Sequence, residues 1–161
     1  MSIYFFLPDT QSTGALAEAL AQTLPERAVI FLHGELGAGK STLARALLRA
    51  LGVTGPIKSP TYALVERYPL DGGGAEAVHL DLYRIAGVDE LEFLGLGDLA
   101  SARLWLVEWP EKGGKALPAA DLQIHLTVEG EGRRAELRAN SQSARDWLVR
   151  FSKIAGLTGS S

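Results

Sequence analysis

The sequence predicts an α/β fold of three layers, in which a mixed, partly parallel sheet is flanked by helices. Three observations lead to this prediction. Residues 28–32 form a continuous apolar run, typical of a parallel strand covered on both faces, and 104–107 form a second one. An amphipathic helical pattern follows the first run. The alternating segment 122–128, which a glycine turn joins to 135–138, indicates further strands.

Strands and helices alternate through the first half of the chain. A short strand at 3–7 precedes a helix at 13–24, where apolar residues recur at helical spacing. The strand at 28–32 leads through a glycine-rich loop into a helix that stops at Gly52. The apolar residues of this helix follow the i, i+3, i+4, i+7, i+8 pattern: Leu43, Ala46, Leu47, Ala50 and Leu51.

The middle of the chain begins with a loop at 53–60, marked by one glycine and two prolines. Strands at 62–68 and 77–83 then form an antiparallel hairpin around a glycine turn at 71–74.

The last third continues with a short helix at 89–97, capped by Asp89, and the apolar strand at 104–107. The turn at 130–132 joins the two alternating strands. A terminal helix is expected at 141–154. Four aromatic or aliphatic side chains of this region are expected in the core: Trp105, Trp147, Leu148 and Phe151.

Composition limits the possible functions. The 161 residues fit one domain, predicted at 1–155, with a flexible tail at 156–161. The net charge of −3 provides no basic field that could bind nucleic acid by itself. The absence of cysteine excludes disulfides, thiolate metal sites and cysteine nucleophiles, and it suits a reducing compartment. No export or membrane segment is recognised, so we expect a cytoplasmic protein without membrane contact.

A phosphate-binding motif occupies the loop after the first apolar strand. The segment from Gly34 through Glu35 to Gly39, Lys40 and Ser41 matches G-x-x-x-x-G-K-[ST]. Backbone N–H groups of such a loop surround phosphate oxygens, and the dipole of the following helix favours negative charge. Lys40 is expected to reach the β and γ phosphates, and the Ser41 hydroxyl to ligate Mg²⁺. The alternative is a glycine turn without a ligand, which the strand and helix on either side disfavour. The expected fold is therefore P-loop NTPase-like.

Two acids are candidates for the metal and for the attacking water. A P-loop enzyme places such acids at the ends of apolar strands. Glu108 closes the strand LWLVEW, and Asp81 lies in VHLDLYR. Each could instead be a surface charge at a strand end.

Other polar and aromatic residues carry weaker signals. Ser59 and Thr61 flank Pro60 in a loop that could sense the γ-phosphate, although Ser-Pro-Thr also makes ordinary turns. Trp109 could stack on a base or a partner. The single asparagine excludes an Asn-Lys-x-Asp element that reads guanine, so ATP is favoured over GTP. The histidines lack metal-ligand spacing, and core or strand-end positions are expected for His33, His79 and His125.

The order of the motifs resembles the TsaE (YjeE) family over residues 8 to about 135. The motifs are GELGAGKST, KSPTYALVERY, HLDLYR, DELEFLGL, and LVEWPEKG with a following LP. That family is the small ATPase of the bacterial machinery that makes threonylcarbamoyladenosine at position 37 of tRNAs reading ANN codons. Ser41 stands where the family usually has threonine, and it keeps the hydroxyl.

The resemblance implies an ATPase that is weak alone and depends on partners. It would bind the TsaB–TsaD complex, support its repeated turnover by hydrolysing ATP with Mg²⁺, and contact tRNA mainly through that complex. Ser41 and Glu108 would hold Mg²⁺, and Asp81 would assist the hydrolytic water. The residues implied in phosphate binding are Leu36, Gly37, Ala38, Gly39, Lys40, Ser41 and Thr42. Gln11 and Thr13 would line the nucleotide pocket, Arg133 would lie near it, and Thr61 would belong to the switch-like loop.

Two other functions remain open from the sequence. A small-molecule P-loop kinase would need an acceptor pocket and an arginine-bearing lid, and no arginine-rich insertion lies between the motifs. A nucleotide-dependent binding module would hydrolyse ATP only incidentally.

Overall fold

A seven-stranded mixed sheet with the order β1-β7-β6-β2-β5-β4-β3 forms the centre of the protein. The computed structural model describes residues 1–60, 64–70, 74–92 and 95–155. The strands are β1 (Ser2–Leu7), β2 (Ala28–His33), β3 (Val65–Pro69), β4 (Glu76–Asp81), β5 (Leu104–Glu108), β6 (Leu122–Glu129) and β7 (Gly132–Ala139). The helices are α1 (Thr10–Gln22), α2 (Lys40–Ala50), α3 (Val88–Glu92) and α4 (Gln142–Ile154), with 3₁₀ turns at Leu96–Leu99, Pro110–Lys112 and Gly114–Ala116.

The parallel part of the sheet lies in its middle. Strand β2 pairs in parallel with both β5 and β6, and β5 pairs in parallel with β4. The outer pairs β1–β7, β6–β7 and β3–β4 are antiparallel. The predicted mixture of parallel and antiparallel strands is confirmed. Because parallel strands end at one edge of a sheet, Leu32 and Asp81 both lie opposite Glu108 there.

Both apolar runs are covered on both faces: β5 is buried along its whole length, whereas β2 is buried on one face and half-buried on the other. Along β2, Ala28, Ile30 and Leu32 belong to the larger core, while Val29 and Phe31 pack against the smaller one on the opposite face. The larger core also contains buried residues of the three long helices: Leu16, Leu20, Leu43, Leu47, Trp147, Leu148 and Phe151. The smaller core surrounds Trp105 and includes residues from α3 and the first 3₁₀ turn, Leu91 and Leu99. The sheet therefore lies between two layers, which confirms the three-layer fold class.

Some element boundaries differ from the sequence predictions. Helix α1 begins at Thr10, before the predicted residue 13, because the Asp9 carboxylate accepts the N–H of Ser12 at 2.8 Å and caps the helix. The prediction that Asp89 caps the short helix at 89–97 was wrong. Helix α3 begins at Val88, so Asp89 lies in its first turn.

Several predictions fall on residues outside the described ranges. These are the start of the 62–68 strand and Thr61, most of the 71–74 turn, part of the 89–97 helix, and the tail at 156–161. Among the residues that are described, no helix has the length and apolar character needed to cross a membrane.

Candidate nucleotide-binding site

The loop between β2 and α2 has a backbone that requires glycine at two positions. A Cβ on Gly34 would lie 2.6 Å from the carbonyl oxygen of Leu126, closer than a side chain can approach. Gly39 caps α2 in the left-handed region, with φ of 103°, and no side chain caps the helix. The first N–H groups of α2 therefore point into the loop without a side-chain partner, which is the arrangement that accepts a phosphate.

Lys40 lies at the first turn of α2 with its ammonium folded over the loop. Nζ donates a hydrogen bond to the carbonyl oxygen of Gly34 and lies 3.6 Å from the centroid of the Trp109 ring. Only 5% of Lys40 is exposed. This burial lowers the pKa of Lys40, while the nearby Glu108 and Asp81 carboxylates act in the opposite direction. The cation is thus held beside the loop by the Gly34 carbonyl and an aromatic face, with two acids nearby.

The structure brings Ser41 and Glu108 into contact. Strand β5 ends beside β2, so the Glu108 carboxylate faces the first turn of α2. The Ser41 hydroxyl lies 3.2 Å from Oε1 and 3.4 Å from Oε2 of Glu108. Because a carboxylate only accepts, the hydroxyl donates its hydrogen and keeps its lone pairs for another ligand.

Asp81 lies at the same sheet edge, one strand further from β2. It is opposite Glu108 in the β4–β5 pairing and is 6% exposed. Its Oδ1 accepts the N–H of Tyr83 at 3.0 Å, which fixes the carboxylate against the chain that leaves β4. Asp81 and Glu108 therefore border the loop from neighbouring strands.

Two of the cavities at the glycine loop share Gly39, Thr42 and Arg133. The first, of about 500 Å³, is lined by Leu36, Gly37, Gly39, Lys40, Ser41, Thr42, Asp81, Tyr83, Arg84, Glu108, Trp109 and Arg133. The second, of about 130 Å³, is lined by Leu7, Pro8, Asp9, Thr10, Thr13, Ala38, Gly39, Thr42, Leu126, Glu131, Gly132 and Arg133. We call them the loop cavity and the α1 cavity. Charged side chains line the first together with the rings of Tyr83 and Trp109, whereas the lining of the second is mostly apolar.

Arg133 lies between the two cavities and contacts the loop backbone. Its Nε donates to the carbonyl of Ala38 at 3.1 Å, and Nη2 donates to that of Gly37 at 3.1 Å. A third bond joins Nη1 to the carbonyl of Gly132 at 2.9 Å. The side chain therefore ties the β6–β7 hairpin to the glycine loop.

The remaining sequence-predicted residues are less closely associated with this site. Thr13 lines the α1 cavity, but Gln11 is exposed on α1 and lines neither cavity. Ser59 is exposed and also lines neither, and Thr61 lies outside the described residues. Roles in nucleotide binding for Gln11 and in a switch for Ser59 and Thr61 stay predictions.

His79 is a member of the site that sequence reasoning missed. We expected a core or strand-end histidine, and the side chain is indeed buried, with 3% exposed. Its Nε2, however, lies 2.6 Å from Oε2 of Glu108. A signal was present, because His79 and Asp81 are two residues apart on β4, and residues at that spacing share one face of a strand.

The donor set suits Mg²⁺ better than a metal held by protein ligands alone. Mg²⁺ prefers oxygen ligands and is usually bound by one or two carboxylates together with substrate phosphates. Ser41 and Glu108 supply a hydroxyl and a carboxylate in mutual contact beside the uncapped N-terminus of α2. Throughout the described ranges, no group of three or more His, Cys, Asp and Glu residues could hold a metal ion.

Comparison with known proteins gives a consistent result. The family model "Threonylcarbamoyl adenosine biosynthesis protein TsaE" matches residues 7–136. The chain is 41% identical over 138 residues to a Haemophilus influenzae protein named "tRNA threonylcarbamoyladenosine biosynthesis protein TsaE", covering 84% of this chain and 86% of that protein. An Aquifex aeolicus protein of the same name is 39% identical over 130 residues, covering 80% of this chain and 89% of its own.

A solved structure has the same fold. The crystal structure of YdiB from Bacillus subtilis superimposes with a TM-score of 0.76 and 26% identity, covering 95% of each chain.

Proposed function

The chain belongs to the TsaE family of threonylcarbamoyl adenosine biosynthesis proteins, and from this premise we propose that it binds and hydrolyses ATP to support formation of threonylcarbamoyladenosine in tRNA. One observation carries the nucleotide part of the proposal. The uncapped N-terminus of α2 presents Lys40 and Ser41 at the edge of the sheet where Glu108 and Asp81 also lie.

The phosphates would lie in the loop cavity. Backbone N–H groups of the glycine loop and the positive end of α2 would bind their oxygens. Lys40 would exchange its contact with the Gly34 carbonyl for the β and γ phosphates, because a charge-assisted bond is stronger than one to a neutral carbonyl. The α1 cavity, next to the loop and bordered by Thr13 and Arg133, is then the position for the nucleoside.

Ser41 and Glu108 would hold the Mg²⁺ ion. When bound, this ion neutralises charge that develops on the β and γ oxygens during hydrolysis. Ser41 is prepared for that role, because its hydrogen already points to Glu108 and leaves a lone pair for a ligand. Asp81 would accept a hydrogen bond from the attacking water and orient it toward the γ-phosphorus. The water oxygen would bond to the γ-phosphorus as the bond from that phosphorus to the bridging oxygen breaks. A proton of the water would pass to the released phosphate, and ADP and phosphate would leave.

The partners we propose are the TsaB–TsaD complex, with tRNA contacted mainly through it. The net charge of −3 supports this assignment, because phosphate contacts need a basic surface that the overall composition does not supply. The activity would be weak in the isolated chain, and the protein would act in the cytoplasm.

The test is ATP hydrolysis by the purified chain with and without purified TsaB–TsaD, together with modified tRNA formed per TsaD. Stimulated hydrolysis and more than one turnover per TsaD support the proposal. Transfer of the γ-phosphate to a metabolite would instead identify a small-molecule kinase. Turnover that continues with a non-hydrolysable ATP analogue would identify a binding module.

A further inference from the structure

We propose that His79 is the positioning residue for Glu108, and that it sets the affinity of the site for its divalent cation. The inference rests on the proposed function, because it assigns a role in the same metal site. It depends on three features of the described structure: one short buried contact, the division of the carboxylate between two donors, and the absence of competing partners for His79.

The contact between His79 and Glu108 is short and shielded from solvent. Nε2 and Oε2 are 2.6 Å apart, and each side chain is 3% exposed. Because a carboxylate has no hydrogen to donate when ionised, Nε2 is the donor. Hydrogen bonds to charged groups are stronger than neutral ones, and they are strongest where water does not compete.

The two donors to Glu108, Ser41 and His79, play different roles. The Ser41 hydroxyl donates to Glu108 and, in the proposed site, would also ligate the cation through a lone pair. His79 lies in β4, on the strand next to Glu108, and the parallel register between β4 and β5 fixes its position. The imidazole therefore holds Oε2 in place, and Oε1, the oxygen closer to Ser41, would serve the cation.

His79 makes no other side-chain hydrogen bond among the described residues. Its second ring nitrogen, Nδ1, is buried and makes no hydrogen bond there. An apolar side chain could fill the same space without the cost of burying the unpaired Nδ1. Packing alone therefore does not account for a histidine at this position. The polar contribution of His79 is thus directed to Glu108. Groups that hydrogen-bond a metal ligand typically contribute about 10- to 100-fold in metal affinity or activity.

The experiment measures Mn²⁺ binding to the protein–ADP complex from the electron paramagnetic resonance of free Mn²⁺. His79→Leu removes the donor. His79→Gln keeps an amide that reaches the position of Nε2, whereas the shorter His79→Asn does not. We expect Mn²⁺ affinity to fall about 10- to 100-fold in His79→Leu and His79→Asn and to recover in His79→Gln. ADP affinity in a chelator should equal that of the parent in all three variants.

His125→Leu is the control, because it removes a half-buried histidine of β6 that also has one ring nitrogen, Nε2, without a hydrogen-bond partner in the described structure. It should keep the parental Mn²⁺ affinity. Equal Mn²⁺ affinities of the Gln and Asn variants would overturn the inference, even if His79→Leu does not fold. Equal losses of Mn²⁺ and of metal-free ADP binding would also overturn it, since they indicate a purely structural role. A parent that binds neither ADP nor Mn²⁺ would contradict the proposed function itself.

Discussion

The ammonium of Lys40 lies 3.6 Å from the centre of the Trp109 ring, so the principal cation of the glycine loop rests on an aromatic face. Trp109 adopts the left-handed conformation, with φ of 57°, and its ring also contacts Tyr83 at 5.0 Å between centroids. A bulky residue is rarely found in this conformation. The strand end of β5 thus places one aromatic ring against Lys40 and, one residue earlier, a carboxylate against Ser41.

Trp109 should report nucleotide binding. Movement of Lys40 toward a phosphate would change the environment of the indole, whereas Trp105 and Trp147 are buried in the cores. We expect ADP to change the tryptophan fluorescence of the parent. In Trp109→Phe the signal should be lost while calorimetry still detects ADP, because phenylalanine keeps an aromatic face. A full signal in this variant would show that Trp105 or Trp147, and not Trp109, reports the binding of ADP.

Loss of the loop cation should prevent productive ATP binding without unfolding the protein. A hydrogen bond to a charged group contributes about 1.5–3 kcal/mol, so Lys40→Ala should weaken ATP binding about 10- to 100-fold or more. Equilibrium titration measures the affinity, and thermal unfolding checks the fold. Lys153→Ala, at an exposed position of α4, is the control and should bind ATP normally. Parental ATP hydrolysis by Lys40→Ala would exclude the loop as the phosphate site.

Mg²⁺ should be required for hydrolysis but only partly for affinity. Loop amides, the α2 dipole and Lys40 supply positive charge to the phosphates without any metal. Calorimetry in the presence of a chelator should therefore still detect ADP. Hydrolysis under the same conditions should be absent and should return when Mg²⁺ is added. Complete loss of ADP binding in the chelator contradicts this division of roles.

Glu108→Gln and Asp81→Asn should each reduce hydrolysis more than ATP binding. Both changes keep the side-chain size but remove a charge beside the reacting phosphate, where it matters most in the transition state. Removing one group that stabilises a transition state costs on the order of 10²-fold in rate. The measurements are ATP affinity and turnover with TsaB–TsaD present. A variant with parental turnover removes that residue from the catalytic site.

Two glycine-to-alanine changes should affect different properties, one the binding of ADP and the other the stability of the fold. The Cβ in Gly34→Ala would collide with the Leu126 carbonyl, so the loop must shift and ADP binding should be lost. Gly14 lies inside α1 with open space around it, and Gly14→Ala should stabilise the fold by about 0.5–1 kcal/mol. Denaturant unfolding and calorimetry test the pair. Normal ADP binding by Gly34→Ala would show that the loop tolerates the side chain.

The features that sequence predicted well depend on residues close together along the chain. The glycine motif is contiguous, so its position between β2 and α2 follows from one apolar run and one helical pattern. The β3–β4 and β6–β7 pairs likewise join segments separated by short turns. The β3–β4 pair is antiparallel as predicted. Helix starts were less accurate. Asp9 caps α1, whereas Asp89 lies inside α3, because capping depends on backbone geometry that several adjacent residues could adopt.

Sequence alone therefore determined the fold class, the glycine loop and the two acids at strand ends, because hydrophobic period and motif spacing encode local structure. Only the tertiary structure decided which side chains meet. The parallel register of β4 and β5 places His79 beside Glu108, which is 29 residues later in the chain. The left-handed conformation of Trp109, directly after β5, turns its ring toward Lys40. The β6–β7 hairpin likewise brings Arg133 to carbonyls of the loop 95 and 96 residues earlier. Such contacts depend on strand order and on the direction of each chain turn, which no local pattern specifies.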